Sequence, residues 1–122
     1  MKEITNSAIS LLKELIRTES FSSKEEKTSL LIQNWFKQHE INFKTYMNNV
    51  YAHNKFFDEN KPTILLNSHH DTVMPNSGYT NDPFDSFIED GKLYGLGSND
   101  AGGALVSLIS VFTILYNKKN CP

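Results

Sequence analysis

The sequence predicts a layered α/β domain of the α/β/α kind, a mixed sheet with flanking helices. Two patterns predict it: apolar residues at helical spacing open and close the chain, and short apolar or alternating runs bounded by turn residues lie between them. The order of helix, strand and helix around a parallel-type run argues for layers rather than a bundle. No internal repeat interrupts the 122 residues, a length that suits one small domain.

From Ile4, apolar residues recur at Ala8, Leu11, Leu12, Leu15 and Ile16. That spacing puts them on one face of a helix over about residues 3–18. Ser22 with Glu25, or Ser23 with Glu26, offers a capping box for a second helix that carries Leu30, Leu31, Trp35 and Phe36 and ends near His39. Ile41, Phe43 and Thr45 alternate with Asn42 and Lys44, the period of a half-buried strand, and Val50-Tyr51 begins its partner. Thr63-Ile-Leu-Leu66, after Pro62, is a short β-branched and apolar run expected to form a central strand covered on both faces. Asp90-Gly91 reads as a tight hairpin turn. Apolar positions 104, 105, 108, 109, 112 and 115 make the third helix.

Composition narrows the function classes. Twelve basic and fourteen acidic side chains leave a formal charge of −2 without a dense Lys/Arg stripe, so a nucleic-acid partner is not expected. The lone Cys121 cannot staple the chain or build a sulfur-rich metal site, and a reducing, cytoplasmic setting fits. The beginning of the chain lacks the apolar run of a signal peptide. The longest apolar stretch, Ala104 to Tyr116, is 13 residues and is expected to be too short for a bilayer.

Chemistry concentrates in two places. In Leu65-Leu-Asn-Ser-His-His-Asp-Thr-Val-Met74, extended backbone would turn His69 and Asp71 to one side and His70 to the other. A neutral imidazole is a good zinc ligand, and a neighbouring carboxylate can hold its ring. The plain alternative is a surface loop that ends a strand. The second place is Gly95-Leu-Gly-Ser-Asn-Asp-Ala-Gly-Gly103, where four glycines in nine positions allow close backbone approach. A phosphate cradle fails there on pattern, because no Gly-Lys-Ser/Thr follows and Asp100 would repel the anion. Asp100 could also be an ordinary helix N-cap.

What decides between these readings is order: strand, His69-x-Asp71, Asp82-Pro-Phe84, hairpin, Gly95-x-Gly97, Asp100, helix. Ser68-His-His-Asp-Thr-Val73, Asp82-Pro-Phe84 and Asp90-Gly-Lys-Leu-Tyr-Gly-Leu-Gly-Ser-Asn-Asp-Ala-Gly-Gly103 together resemble the first part of the M20 family of zinc metallopeptidases and deacylases. The resemblance is strongest to the acetylornithine deacetylase and succinyl-diaminopimelate desuccinylase group and runs over essentially the whole chain.

The resemblance implies that His69 is a ligand of one zinc, that Asp71 is the catalytic-site carboxylate orienting it, and that Asp100 bridges two metals, with the Asp100–Ala101 peptide cis. Two zinc ions, or cobalt or manganese in their place, would be held about 3.5–4 Å apart by that bridge. His70 and Asn99 carry no such role and read as local structure. The family's usual lysine is replaced by Gly102, which is similar to deacylases of acetylated or succinylated ornithine and citrulline. A lysine there is accordingly expected to be tolerated far better than any change at Asp100.

The implied activity is hydrolysis of the amide of a small N-acyl amino acid, a step of arginine biosynthesis, with dipeptidase, carboxypeptidase or desuccinylase as alternatives. The resemblance implies a general-base glutamate, usually in a Glu-Glu pair, after Asp100; none follows, and Glu25-Glu26 is in the wrong place and order, so residues 1–122 are expected to be the N-terminal segment of a catalytic domain, inactive alone. The resemblance implies that the full-length protein is a homodimer held by a domain outside this segment. A degenerate, non-catalytic protein-binding module is the competing reading.

Overall fold

A computed structural model describes residues 1–119; Cys121 lies outside the described residues. Three helices make the body: α1 (Lys2–Arg17), α2 (Glu26–Gln38) and α3 (Gly103–Leu115). The α1 face foreseen from periodicity is the buried one, with Ala8, Leu11, Leu12, Leu15 and Ile16 in a core that Ile32, Trp35 and Phe36 of α2 and Leu105, Val106 and Ile109 of α3 complete. Burying each large aliphatic side chain contributes about 1.5–3 kcal/mol, so this contact is what holds the helices together. Trp35 Nε1–H donates to Thr113 Oγ1 at 3.0 Å, tying α2 to α3 without leaving a buried donor unpaired.

Helix α1 stops where Thr18 turns extended, at φ −107° and ψ 113°. Neither expected capping box forms at α2: its N-cap is Glu25, with no side-chain cap bond. Ser23 adopts a φ of 71° and its N–H is taken by the Glu25 carboxylate, while the Ser22 hydroxyl is drawn away to Asp71.

The strands form two antiparallel hairpins. β1 (Lys44–Tyr46) pairs with β2 (Asn49–Tyr51), Thr45 opposite Val50. β3 (Phe87–Glu89) pairs with β4 (Lys92–Tyr94) around Asp90 and Gly91, whose φ values of 49° and 74° are those of the tight turn expected there. The α/β character of the domain is as the sequence predicts.

Residues 63–66 differ from expectation. They form no strand and pair with none among the described residues, and Ile64 and Leu65 are 75% and 82% exposed. A central strand needs a ladder on each edge, and the described hairpins pair only with themselves.

The longer run Ser98–Leu115 has the length and mean hydropathy, 1.4, of a membrane span. Its backbone is not one helix: Asp100 and Ala101 leave helical torsions. The continuous α3 would extend only about 20 Å against a hydrocarbon core of about 30 Å.

Candidate metal centre

The segment bearing His69 and Asp71 has no sheet of its own and is held by the connection between α1 and α2. Thr72 N–H donates to Ser20 O at 2.8 Å, and Phe21 bridges Thr72 in parallel register. As extended backbone requires, His69 and Asp71 face one way and His70 the other. His70 Nδ1 lies 2.8 Å from Thr28 Oγ1, and its Nε2 lies 3.1 Å from Asn48 O. Since a carbonyl only accepts, Nε2 carries a proton, while the single Thr28 hydroxyl proton has two acceptors in reach, His70 Nδ1 and Glu25 O at 3.1 Å. Burial pushes the His70 value below the ordinary histidine range, which favours the neutral ring with Thr28 donating to Nδ1.

The glycine block brings Asp100 to the same place. Gly95 and Gly97 have φ of 142° and 76°, in the region that favours glycine. A Cβ at Gly95 would lie 2.3 Å from Ile16 Cγ2, and one at Gly97 would lie 2.7 Å from Thr72 Cγ2. The turn therefore presses against both the end of α1 and the His69 segment. Gly102 N–H closes it by donating to Gly97 O at 2.8 Å. Pro83 O accepts from Leu96 N at 2.7 Å, and Phe84 meets Phe21 edge to face at 6.3 Å, so Asp82-Pro-Phe84 fixes the block from outside.

Within this frame His69 Nε2 stands 3.0 Å from Asp100 Oδ1, and His69 Nδ1 stands 3.1 Å from Asp71 Oδ1. Asp71 Oδ2 accepts from Ser22 Oγ at 2.5 Å. The Asp100–Ala101 peptide is cis. Asp100 caps no helix: the N-cap of α3 is Gly102, without a side-chain cap bond.

Partial burial pulls the His69 value down, but the hydrogen bonds to Asp100 and Asp71 outweigh it and hold the ring above its ordinary value. The Ser22 hydroxyl, with His69 beside it, outweighs burial and holds the Asp71 carboxyl below the usual range. Both ring nitrogens of His69 thus face carboxylate oxygens, and the space between Nε2 and Asp100 Oδ1 is where a cation would sit. The Asp100 side chain is 88% exposed, and so open an ion pair contributes little to stability. The three side chains open on a cleft of ≈ 330 Å³ bounded by Thr72, Tyr79 and Gly95 to Asp100.

Whether these groups fit a metal can be tested on their donors. Nδ1–H bound to Asp71 leaves the Nε2 lone pair free for a cation, and Asp100 supplies a carboxylate beside it. Two ligands at 2.0–2.1 Å from a tetrahedral zinc stand roughly 3.3 Å apart, close to the spacing here. The set is partial: no cluster of three or more metal-ligating side chains gathers among the described residues.

Residues 65–122 match the family model described as Peptidase family M20/M25/M40. The chain is 34% identical over 110 residues to acetylornithine deacetylase of Buchnera aphidicola subsp. Schizaphis graminum, covering 80% of this chain and 28% of that protein. It is 28% identical over 111 residues to succinyl-diaminopimelate desuccinylase of Blochmanniella floridana, 85% of this chain and 29% of that one. The chain belongs to the M20 family.

A second desuccinylase, from Anaplasma marginale, is 32% identical over 73 residues, 60% of this chain and 18% of its own length. This M20 chain spans less than a third of the length of the curated relatives it matches. One M20 expectation is corrected by packing. A Cβ at Gly102 would lie 2.6 Å from Leu12 Cδ1 and 2.7 Å from Gly97 O, so a lysine does not fit there without displacing main chain. Sequence reasoning also missed Ser22, which it assigned to a helix cap. Only the pairing of Phe21 with Thr72 brings Ser22 to the site, and no local pattern announces that pairing.

Proposed function

We propose that residues 1–122 are the N-terminal segment of a catalytic domain and contribute His69 and Asp100 to the metal site of an amidohydrolase that cleaves a small N-acyl amino acid. The observation that carries this reading is the 3.0 Å approach of His69 Nε2 to Asp100 Oδ1 with Asp71 on the opposite ring nitrogen. Zinc, or cobalt or manganese, would lower the pKa of a bound water and polarise the amide carbonyl. Asp71 holds the Nδ1 proton and so presents Nε2 as a donor. Asp100 offers a second oxygen through which its carboxylate can be shared. Gly95 and Gly97 let the backbone pass close enough for both to meet.

A zinc usually takes four ligands, so the remaining donors and the proton-transferring glutamate belong to the larger protein, along with its dimerisation domain. The names of the relatives support either an acetylated ornithine or a succinylated diamino acid as substrate, and an acylated citrulline is an alternative of the first type. A cytoplasmic amino-acid pathway such as arginine biosynthesis suits the first.

Zinc titration with elemental analysis of wild type and Asp100→Ala tests the site. At most partial zinc occupancy of residues 1–122, lost in the variant, is expected, and equal uptake by both rejects the assignment. A screen of N-acetyl and N-succinyl amino acids with the full-length protein decides the substrate, and hydrolysis of dipeptides alone would reject the deacylase reading.

A further inference from the structure

We infer that Ser22 is a positioning residue of the metal site, fixing the rotamer of Asp71 and through it the ring of His69; this rests on the metal-site reading above. Asp71 is half-buried on a segment outside any strand, where nothing in the local backbone fixes the rotation of a short carboxylate about Cα–Cβ. Its two oxygens are both engaged: Oδ2 accepts from Ser22 Oγ at 2.5 Å and Oδ1 accepts from His69 Nδ1 at 3.1 Å. An O–H···O⁻ bond of this length falls in the charge-assisted range, stronger than a neutral one. The carboxylate is therefore held from behind by a residue 49 positions away and presents one oxygen to the imidazole.

The hydroxyl is itself placed by main chain rather than by chance. Ser20 O receives Thr72 N–H, Phe21 bridges Thr72, and Thr28 Oγ1 meets His70. Residues 70, 71 and 72 are thus each gripped from the stretch 20–28, Thr72 by two of its residues, and only the grip on Asp71 leads to a metal donor. Ser22 is exposed, spends its hydroxyl on neither helix cap nor core, and makes no other side-chain hydrogen bond among the described residues.

The test uses Ser22→Ala and the conservative Ser22→Thr in the 122-residue chain, with circular dichroism to verify folding. In the metal-free protein, the three-bond couplings across Cα–Cβ of Asp71 report its rotamer. Wild type and Ser22→Thr are expected to give one rotamer and Ser22→Ala an average. A single unchanged rotamer in Ser22→Ala overturns the inference whether or not the protein takes metal. Zinc alone is then titrated. Ser22→Ala is expected to bind about 3- to 10-fold more weakly, below the roughly 10- to 100-fold typical of a group touching the ligand itself, and Ser22→Thr is expected to recover the affinity. Equal zinc affinity in wild type and Ser22→Ala overturns the role. Wild type that takes up no zinc, its two donors falling short of the four a zinc usually takes, moves the zinc comparison to the full-length protein and leaves the Asp71 couplings to decide the placement.

Discussion

His69 Nε2 and Asp100 Oδ1 lie 3.0 Å apart although 31 residues separate them in sequence. Asp100 is so exposed that its removal should leave folding unchanged while removing a donor. Asp100→Ala is expected to lose more than about 100-fold in zinc affinity, exceeding the loss of an outer partner, with an unaltered urea midpoint. Calorimetric titration alongside chemical denaturation checks both.

The glycines behave in the opposite way. Gly95→Ala sets a methyl 2.3 Å from Ile16 Cγ2 at a φ of 142°. Overpacking costs about 1–3 kcal/mol, and the torsion adds about 1–2 kcal/mol. Gly102→Lys and Gly102→Ala are expected to cost about 1–3 kcal/mol from the contacts with Leu12 and Gly97. Urea denaturation should therefore rank all three below Asp100→Ala in stability.

Adjacent histidines should impose pH dependences of opposite sign. His70 is depressed by burial, so the unfolded chain binds its proton first; the contribution is present above the ordinary value of 6.5 and lost as pH falls through the folded value. His69 is raised by its carboxylates, so its contribution is full below 6.5 and is lost as pH rises through the folded value. His70→Gln is expected to flatten the acid limb of stability against pH, and His69→Gln the alkaline limb, in denaturation series across the range.

Thr28 is fully buried beneath His70. Thr28→Val keeps shape and leaves Nδ1 without its donor, at an expected cost of about 1–3 kcal/mol. In a double-mutant cycle with His70→Leu that cost should shrink, because the stranded polar atom is then gone.

Local signals carried much of this structure. The buried face of α1 follows from Ile4 to Ile16, and the hairpin follows from Asp90-Gly91, because helical period and left-handed torsions are properties of neighbours in sequence. The opposed directions of His69 and His70 follow likewise from extended geometry. What could not be read depends on distant partners. Thr63 to Leu66 has the composition of a covered strand, yet covering requires other segments beside it. Ser22 and Ser23 fit a cap by spacing, but a hydroxyl goes where the stronger acceptor is, and Asp71 is charged. Gly102 looked replaceable until Leu12 was found against it.

The grip of residues 20–28 on residues 70–72 makes the donors and the helical layer a single mechanical unit. Any cation seated between His69 and Asp100 would thereby brace α1 and α2 as well. At a hundred times its dissociation constant it would lend them about 2.7 kcal/mol, so heat resistance of the helices becomes a gauge of occupancy at the cleft.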